Sequence, residues 1–151
     1  MKTEIKLEPG CQEPWAEIHT AEVTDEIQNA VRWLSGGKER TLNGEREGRI
    51  FPLRREKLEL IRVERERTMA YTQQGECYEI RRRLYELEKI LSPEFLRISK
   101  GALVNLAYIQ CVEPTLGGLM QLVTQGGQRE CISRKFLPAF KKALGLGGKM
   151  R

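Results

Sequence analysis

The chain has 151 residues, 26 Lys and Arg against 21 Asp and Glu, and 40% hydrophobic residues, enough for one average domain or one domain with a small elaboration. It holds one histidine, His19, and one aspartate, Asp25, so it cannot assemble a zinc site, a two-metal phosphoryl-transfer centre or the aspartate cluster of a phosphorylatable receiver. No apolar run reaches the about 20 residues of a transmembrane helix, and residues 1–6 lack the apolar segment of a secretory signal. Residues 2–8 alternate, with Ile5 and Leu7 on one face, and predict a short strand; residues 15–20 predict a second. A helix is expected from Thr24 onward, with Asp25 as its N-cap and Gln28 completing a capping box. Its apolar residues Ile27, Ala30, Val31 and Leu34 share one face, and Ser35-Gly36-Gly37 ends it. The Gly-, Glu- and Arg-rich stretch that follows, to Gly48, reads as a loop containing a domain boundary.

Beyond the loop, strand signals dominate. Residues 49–53 contain Pro52 and look like an edge strand. Residues 58–63 are the strongest strand candidate and run into the charged Glu64-Arg65-Glu66-Arg67. Residues 69–73 and 76–80 flank Gln74-Gly75 as a hairpin. Leu84, Leu87 and Leu91 place a helix over 83–91, ended by Ser92-Pro93. Residues 95–98 are extended, Ser99-Lys100-Gly101 is a turn, and 106–112, 119–124 and 129–132 are further strands. A closing helix starts near 135–137, because Pro138 is tolerated only in a first turn, and Gly145 suits its C′ position. The connections between strands are too short for parallel crossovers. The expected organisation is an acidic β-α extension over 1–44, a β-rich α+β domain of small antiparallel sheets with two helices over 45–147, and a tail over 148–151.

Charge divides along the same line. Residues 1–30 carry two basic and seven acidic side chains, and the remainder carries 24 basic against 14 acidic. A basic body of this size attracts a polyanion, since each phosphate contact releases condensed counterions. The plainer reading is a surface that is merely soluble. The four cysteines, Cys11, Cys77, Cys111 and Cys131, form no C-x-x-C pair and are expected as reduced thiols filling core volume in a cytoplasmic protein.

Residues 95–109, FLRISKGALVNLAYI, resemble the hallmark of the LytTR family of bacterial DNA-binding domains, roughly F-x-R-[IV]-[HS]-[KRN]-S-x-[IV]-V-N-x-x-x-I. The resemblance continues upstream through Tyr78-Glu79-Ile80 and Leu84-Tyr85-Glu86-Leu87, and downstream through the 119–132 hairpin and Ile132-Ser133-Arg134. It covers residues 48–145, about two thirds of the chain. Gly101 departs from the family's serine, which removes one hydroxyl contact. The resemblance implies a DNA reader whose loops, rather than a recognition helix, enter successive major grooves. Carried over by alignment, the base-reading positions are Arg67 (or Arg65, whose loop register is open), Lys100 and Arg134. Arginine forks suit guanine O6 and N7, whereas Lys100 is a flexible point charge. Arg65, Arg97, Ser99, Ser133 and Lys135 lie beside them as candidate phosphate contacts.

Each assignment has a plainer counterpart. The alternating run 64–67 reads as a solvated strand end. Arg81-Arg82-Arg83 reads equally as a phosphate patch or a solvated helix start. Asn105 is structural, and Phe95, Tyr108, Phe136 and Phe140 belong to the core. The resulting expectation is a stand-alone cytoplasmic transcriptional regulator, with no enzymatic activity, cofactor or small-molecule substrate. It binds repeated sites on double-stranded DNA as a homodimer, bends the duplex, and is restrained by a multi-pass membrane-protein inhibitor. The alternatives are an RNA-binding module, which would stack bases on Tyr71 and Tyr78, and a protein-interaction antagonist using the same basic face.

Overall fold

The computed structural model describes residues 1–34 and 41–146. The chain divides into two compact units, Met1–Lys38 and Glu39–Arg151. In the first, α1 (Asp25–Leu34) is the regular element. Its cap is Thr24 rather than Asp25: Thr24 Oγ1 accepts from Ile27 N at 3.4 Å and Thr24 O accepts from Gln28 N at 2.9 Å. The strands expected over 2–8 and 15–20 do not form. Alternation alone does not hold a strand without a partner ladder, and Ile5 and Leu7 stay 89% and 90% exposed. The Gly36-Gly37 helix stop and the tail over 148–151 lie outside the described residues.

The second unit is built on antiparallel ladders. Strands β1 (Thr41–Arg46), β2 (Arg49–Arg54), β3 (Leu58–Glu64), β4 (Arg67–Thr72), β5 (Cys77–Glu79), β6 (Phe95–Ser99) and β7 (Ala102–Asn105) form one sheet in the order β2-β1-β5-β4-β3-β7-β6. Strands β8 (Ile109–Pro114), β9 (Met120–Thr124) and β10 (Arg129–Ile132) form a second. β2 is an edge strand, as Pro52 suggests. Residues 41–46, expected as loop, are β1, paired with β2 along its whole length. Residues 106–108, expected to open a strand, are a 3-10 turn instead; the strand lies before it, as β7. The N-cap of that turn is Asn105, buried at the close of β7: Nδ2 donates to Leu58 O at 2.9 Å and Oδ1 accepts from Ala107 N at 3.1 Å.

Two cores sandwich the larger sheet. Helix α2 (Leu84–Leu91) lays Leu84, Leu87 and Leu91 on Leu58, Ile61, Tyr78, Phe95 and Leu103. On the other core, Leu60, Ile98 and Val104 meet Met120, Leu122 and Ile132 of the smaller sheet and Phe140 of α3 (Leu137–Ala143). Complete burial of a leucine or phenylalanine contributes about 1.5–3 kcal/mol, so these two clusters dominate the stability. β3 contributes to both cores, as do β6 and β7. Its register against β4 slips between Leu58 and Leu60, which leaves Glu59 without a partner in β4. Glu59 turns into the structure, fully buried, where its carboxylate accepts from Thr124 Oγ1 at 2.5 Å and Gly126 N at 2.9 Å. A buried carboxylate with two such donors ties the β9–β10 turn to the larger sheet.

The cysteines do not fill the core. Cys11, Cys111 and Cys131 are exposed and Cys77 is partly buried, all four as free thiols. Cys111 and Cys131 are opposite neighbours of β9, on the outward face of the smaller sheet.

Candidate nucleic-acid interface

Three turns carry the predicted base-reading residues, and the backbone ties them together. The first joins β3 to β4. It is a two-residue turn in which Arg65 and Glu66 both take positive φ, 47° and 66°, the signature of a type I′ hairpin. Arg65 stands exposed at its tip, and Arg67 opens β4 with its side chain 70% exposed and Nη1 3.9 Å from Glu79 Oε2.

The second turn joins β6 to β7 and carries Lys100, which is exposed. Arg97 is spent on building it. Its Nε donates to Ser99 O at 2.8 Å, Nη2 donates to Lys100 O, and Nη1 donates to Glu88 Oε2 of α2 at 2.8 Å. Its side chain is only 17% exposed, with the guanidinium 6.0 Å from the Phe136 ring centroid. Arg97, expected beside the phosphates, is thus occupied as the staple of the Lys100 turn. Ser99 Oγ accepts from Gly101 N at 3.2 Å, another bond internal to that turn.

The third turn leads from β10 into α3 and carries Ser133, Arg134 and Lys135. Arg134 and Lys135 are exposed, Ser133 half-buried. The Arg134 guanidinium lies against the β8–β9 connection, where a Cβ at Gly117 would stand 3.9 Å from its Nη2. Lys135 Nζ sits 5.6 Å from the Phe136 ring centroid, on the aromatic that Arg97 also faces.

Two backbone bonds bring the turns into one row. Val63 N donates to Gly101 O at 2.8 Å, joining the end of β3 to the Lys100 turn. Ser133 N donates to Ile98 O at 2.9 Å, joining β6 to the Arg134 turn. Arg65 and Arg67, Lys100, and Arg134 therefore occupy neighbouring turns along one edge. Gly101 is not forced by its surroundings: its φ is not positive, and an added Cβ would lie 4.0 Å from Val63 Cβ.

Behind this edge is a polar network that the strand pattern did not reveal. Arg62 on β3 reaches Glu64 Oε1 at 2.5 Å, Glu130 Oε2 at 3.3 Å and Gln128 Oε1 at 3.2 Å, and lies 4.7 Å from the Tyr71 ring centroid. Tyr71 donates its hydroxyl to Glu64. Burial, then the bond to Glu64, pushes the Tyr71 hydroxyl up to about 12. The bond from Tyr71, and then that from Arg62, holds the Glu64 carboxyl below the usual carboxylate range. The alternating charges of 62–67 were the available signal, but only the fold shows that Arg62 bridges the two sheets. The same contacts weaken the stacking expectation for RNA. Tyr78 is buried, its ring 5.3 Å from Phe51, and the Tyr71 ring is covered by Arg62.

A model of the LytTr DNA-binding domain family matches residues 48–145. The chain belongs to that family. The LytTR domain here is similar to the LytTr DNA-binding domain of a Bacillus cereus protein described as a methyl-accepting/DNA response regulator. That match has a TM-score of 0.65 at 20% identity and covers 70% of this chain and 96% of the other, a likeness of fold. Two relatives from Staphylococcus aureus, of strains MRSA252 and NCTC 8325, are described as uncharacterized HTH-type transcriptional regulators. They are 27% and 26% identical over 147 residues, 97% of this chain and 99% of theirs. A helix-turn-helix needs two consecutive helices joined by a short turn. Among the described residues of this LytTR domain, five strands separate α2 from α3.

Proposed function

We propose that this protein is a sequence-specific transcriptional regulator that reads duplex DNA through its three tied turns. The observation that carries the reading is the row itself. Exposed cationic side chains from three separate segments stand along one edge, and two backbone hydrogen bonds fix their spacing. Arg134, and Arg67 or Arg65, present guanidinium forks for guanine O6 and N7, while Lys100 reaches a base edge or a phosphate between them. Ser133 and Lys135 are placed for phosphate oxygens beside Arg134. Arg97 and Ser99 act one step back, by holding the Lys100 turn in shape. The role is binding rather than catalysis: the family is one of DNA-binding domains.

The relatives named as transcriptional regulators match nearly the whole chain, acidic segment included, which supports a regulatory role for the protein as a unit. We place it in the cytoplasm, where its DNA is. No helix among the described residues is long and apolar enough to cross a membrane. Two protomers occupy a repeated site and bend it, and a multi-pass membrane protein restrains the regulator through the acidic segment. Selection of bound duplexes from a randomised library tests the base reading. The expected result is a short motif occurring twice, with Lys100→Ala and Arg134→Ala each relaxing a different position by about 1–3 kcal/mol. A selection that returns no motif, or variants that relax nothing, contradicts it. Co-purification from the native host that recovers no membrane protein contradicts the restraint.

A further inference from the structure

Beside the edge of turns lies an open groove of about 820 Å³, most of whose lining the three-turn reading does not use. Arg67, Arg81, Arg82 and Arg83 line it, together with Val63, at the β3 end of the Lys100 turn, and Tyr85 at the start of α2. Arg67 belongs to both features, so the groove continues the candidate base-reading edge rather than standing apart from it. We infer that this groove seats a stretch of the DNA sugar-phosphate backbone flanking the bases read by the turns, with Arg81 and Arg83 as its principal phosphate contacts. The inference rests on the reading of this domain as a DNA binder.

Four features of the groove fit that ligand. Its four cations outnumber its three carboxylates, Glu66, Glu79 and Glu86, and are all arginines, whose planar forks engage phosphate oxygens in pairs. Two of them are loosely held in place. Arg81 Nε lies 3.0 Å from Glu45 Oε2 with its side chain 76% exposed, and Arg67 is 3.9 Å from Glu79. Such exposed pairs are worth little, so exchanging the carboxylate for a phosphate costs little while keeping the guanidinium aimed. The lining also exposes the body of Tyr85 (55%) and of Val63 (44%), a surface for deoxyribose, with a phenolic hydroxyl able to donate to phosphate. Finally, the depression is broad and open, so a backbone strand can lie along it, whereas base edges are reached by projecting turns. A solvated helix start, the plainer reading of Arg81-Arg82-Arg83, accounts for the charge. It does not account for Arg67 lining the same depression.

The test uses the full chain and a duplex obtained by selection, titrated at several salt concentrations for wild type, Arg81→Ala/Arg83→Ala and Arg81→Lys/Arg83→Lys. Losing two phosphate contacts should make the slope of log K against log salt shallower by about 1.8, since each contact contributes about 0.9. The affinity deficit of the alanine variant should then grow about 12-fold between 200 mM and 50 mM salt. Its base preferences should stay as in wild type, and the lysine variant should keep most of the slope. An alanine variant with unchanged slope and affinity overturns the proposal and leaves a solvated patch or a site for a protein partner. Loss of base preference along with affinity also overturns it, because the arginines would then act by holding Arg67. Should the double variant fail to fold, Arg83→Ala alone is measured against a slope change of about 0.9. A wild type with no sequence preference, but with the slope still lowered in the variant, would sink the base-reading account and leave the groove standing.

Discussion

Arg97 offers the sharpest separation between a residue that touches DNA and one that shapes the part that does. Its guanidinium makes three bonds: two to the carbonyls of Ser99 and Lys100, and one to Glu88. The carbonyl bonds are worth about 1–1.5 kcal/mol each. The Glu88 pair adds less than about 1 kcal/mol, because Glu88 is 43% exposed and screened. Arg97→Ala should therefore cost about 2–3 kcal/mol, a fall in melting temperature on the order of 10 °C for a domain of this size. The freed Lys100 turn should also lose affinity for a selected duplex. The salt dependence distinguishes the two roles. A phosphate contact would take about 0.9 from the slope of log K against log salt, whereas a staple leaves the slope unchanged while affinity and stability fall together. Arg97→Lys should recover little, since one ammonium cannot span two carbonyls and a carboxylate in that geometry. Thermal melts with duplex titrations at three salt concentrations measure all of this. A variant that keeps wild-type stability and loses slope would refute the staple and restore Arg97 to the phosphates.

Gly126→Ala should destabilise by about 1–3 kcal/mol, because its Cβ would stand 2.7 Å from Glu59 Oε2 and 2.9 Å from the backbone Gln73 O, neither free to yield; a denaturant midpoint equal to wild type would contradict this. Gly101→Ser should leave stability within about 0.5 kcal/mol, given the open space there, and strengthen duplex binding by restoring the hydroxyl of the family pattern; a melt that drops sharply, or unchanged binding, would contradict this. The Tyr71–Glu64 pair makes stability depend on pH at both ends. Tyr71, raised from 10.0 to about 12 in the fold, contributes stability that is complete below pH 10 and lost as pH rises toward 12. Glu64, lowered from 4.5, contributes stability present above that value and lost as pH falls below it. Tyr71→Phe should flatten the alkaline limb and weaken the acidic one in pH-dependent melts; limbs identical to wild type would remove the pair from the account.

The parts of this fold legible in the sequence are those whose pattern has one dominant cause. Leu84, Leu87 and Leu91 mark α2 because one face of a helix meets a flat sheet. β7 was missed because Ala102, Leu103, Val104 and Asn105 are all buried, so the alternation that marks a half-buried strand is absent. β1 is hidden because it falls in the Gly-, Glu- and Arg-rich stretch that reads as a loop. Gly44 instead permits close packing: a Cβ there would come 2.4 Å from Leu53 Cδ1 and 2.8 Å from Tyr78 Cβ. The turn is at Glu47-Gly48, where φ is 51° and 72°. The converse failure is residues 2–8, where alternation is present and no partner strand takes it up.

At the candidate site, composition and resemblance together point to Arg67, Lys100 and Arg134 as candidates, while the bonds that align their turns run through backbone atoms of Val63, Gly101, Ile98 and Ser133. Backbone bonds between distant segments leave no trace in side-chain pattern. The bonds of Arg97 are hidden for a related reason: charge is visible in a sequence, but a hydrogen bond from it to a carbonyl is not.

The central claim, that the row of turns reads bases, is tested most directly by titrating a fluorescent duplex carrying the protein's own upstream region and its scrambled counterpart with wild type and Arg134→Ala at two salt concentrations. Wild type should prefer the native duplex at both concentrations, and Arg134→Ala should lose that preference by about 1–3 kcal/mol while still folding. Equal, salt-labile binding to both duplexes, untouched by the substitution, would contradict it.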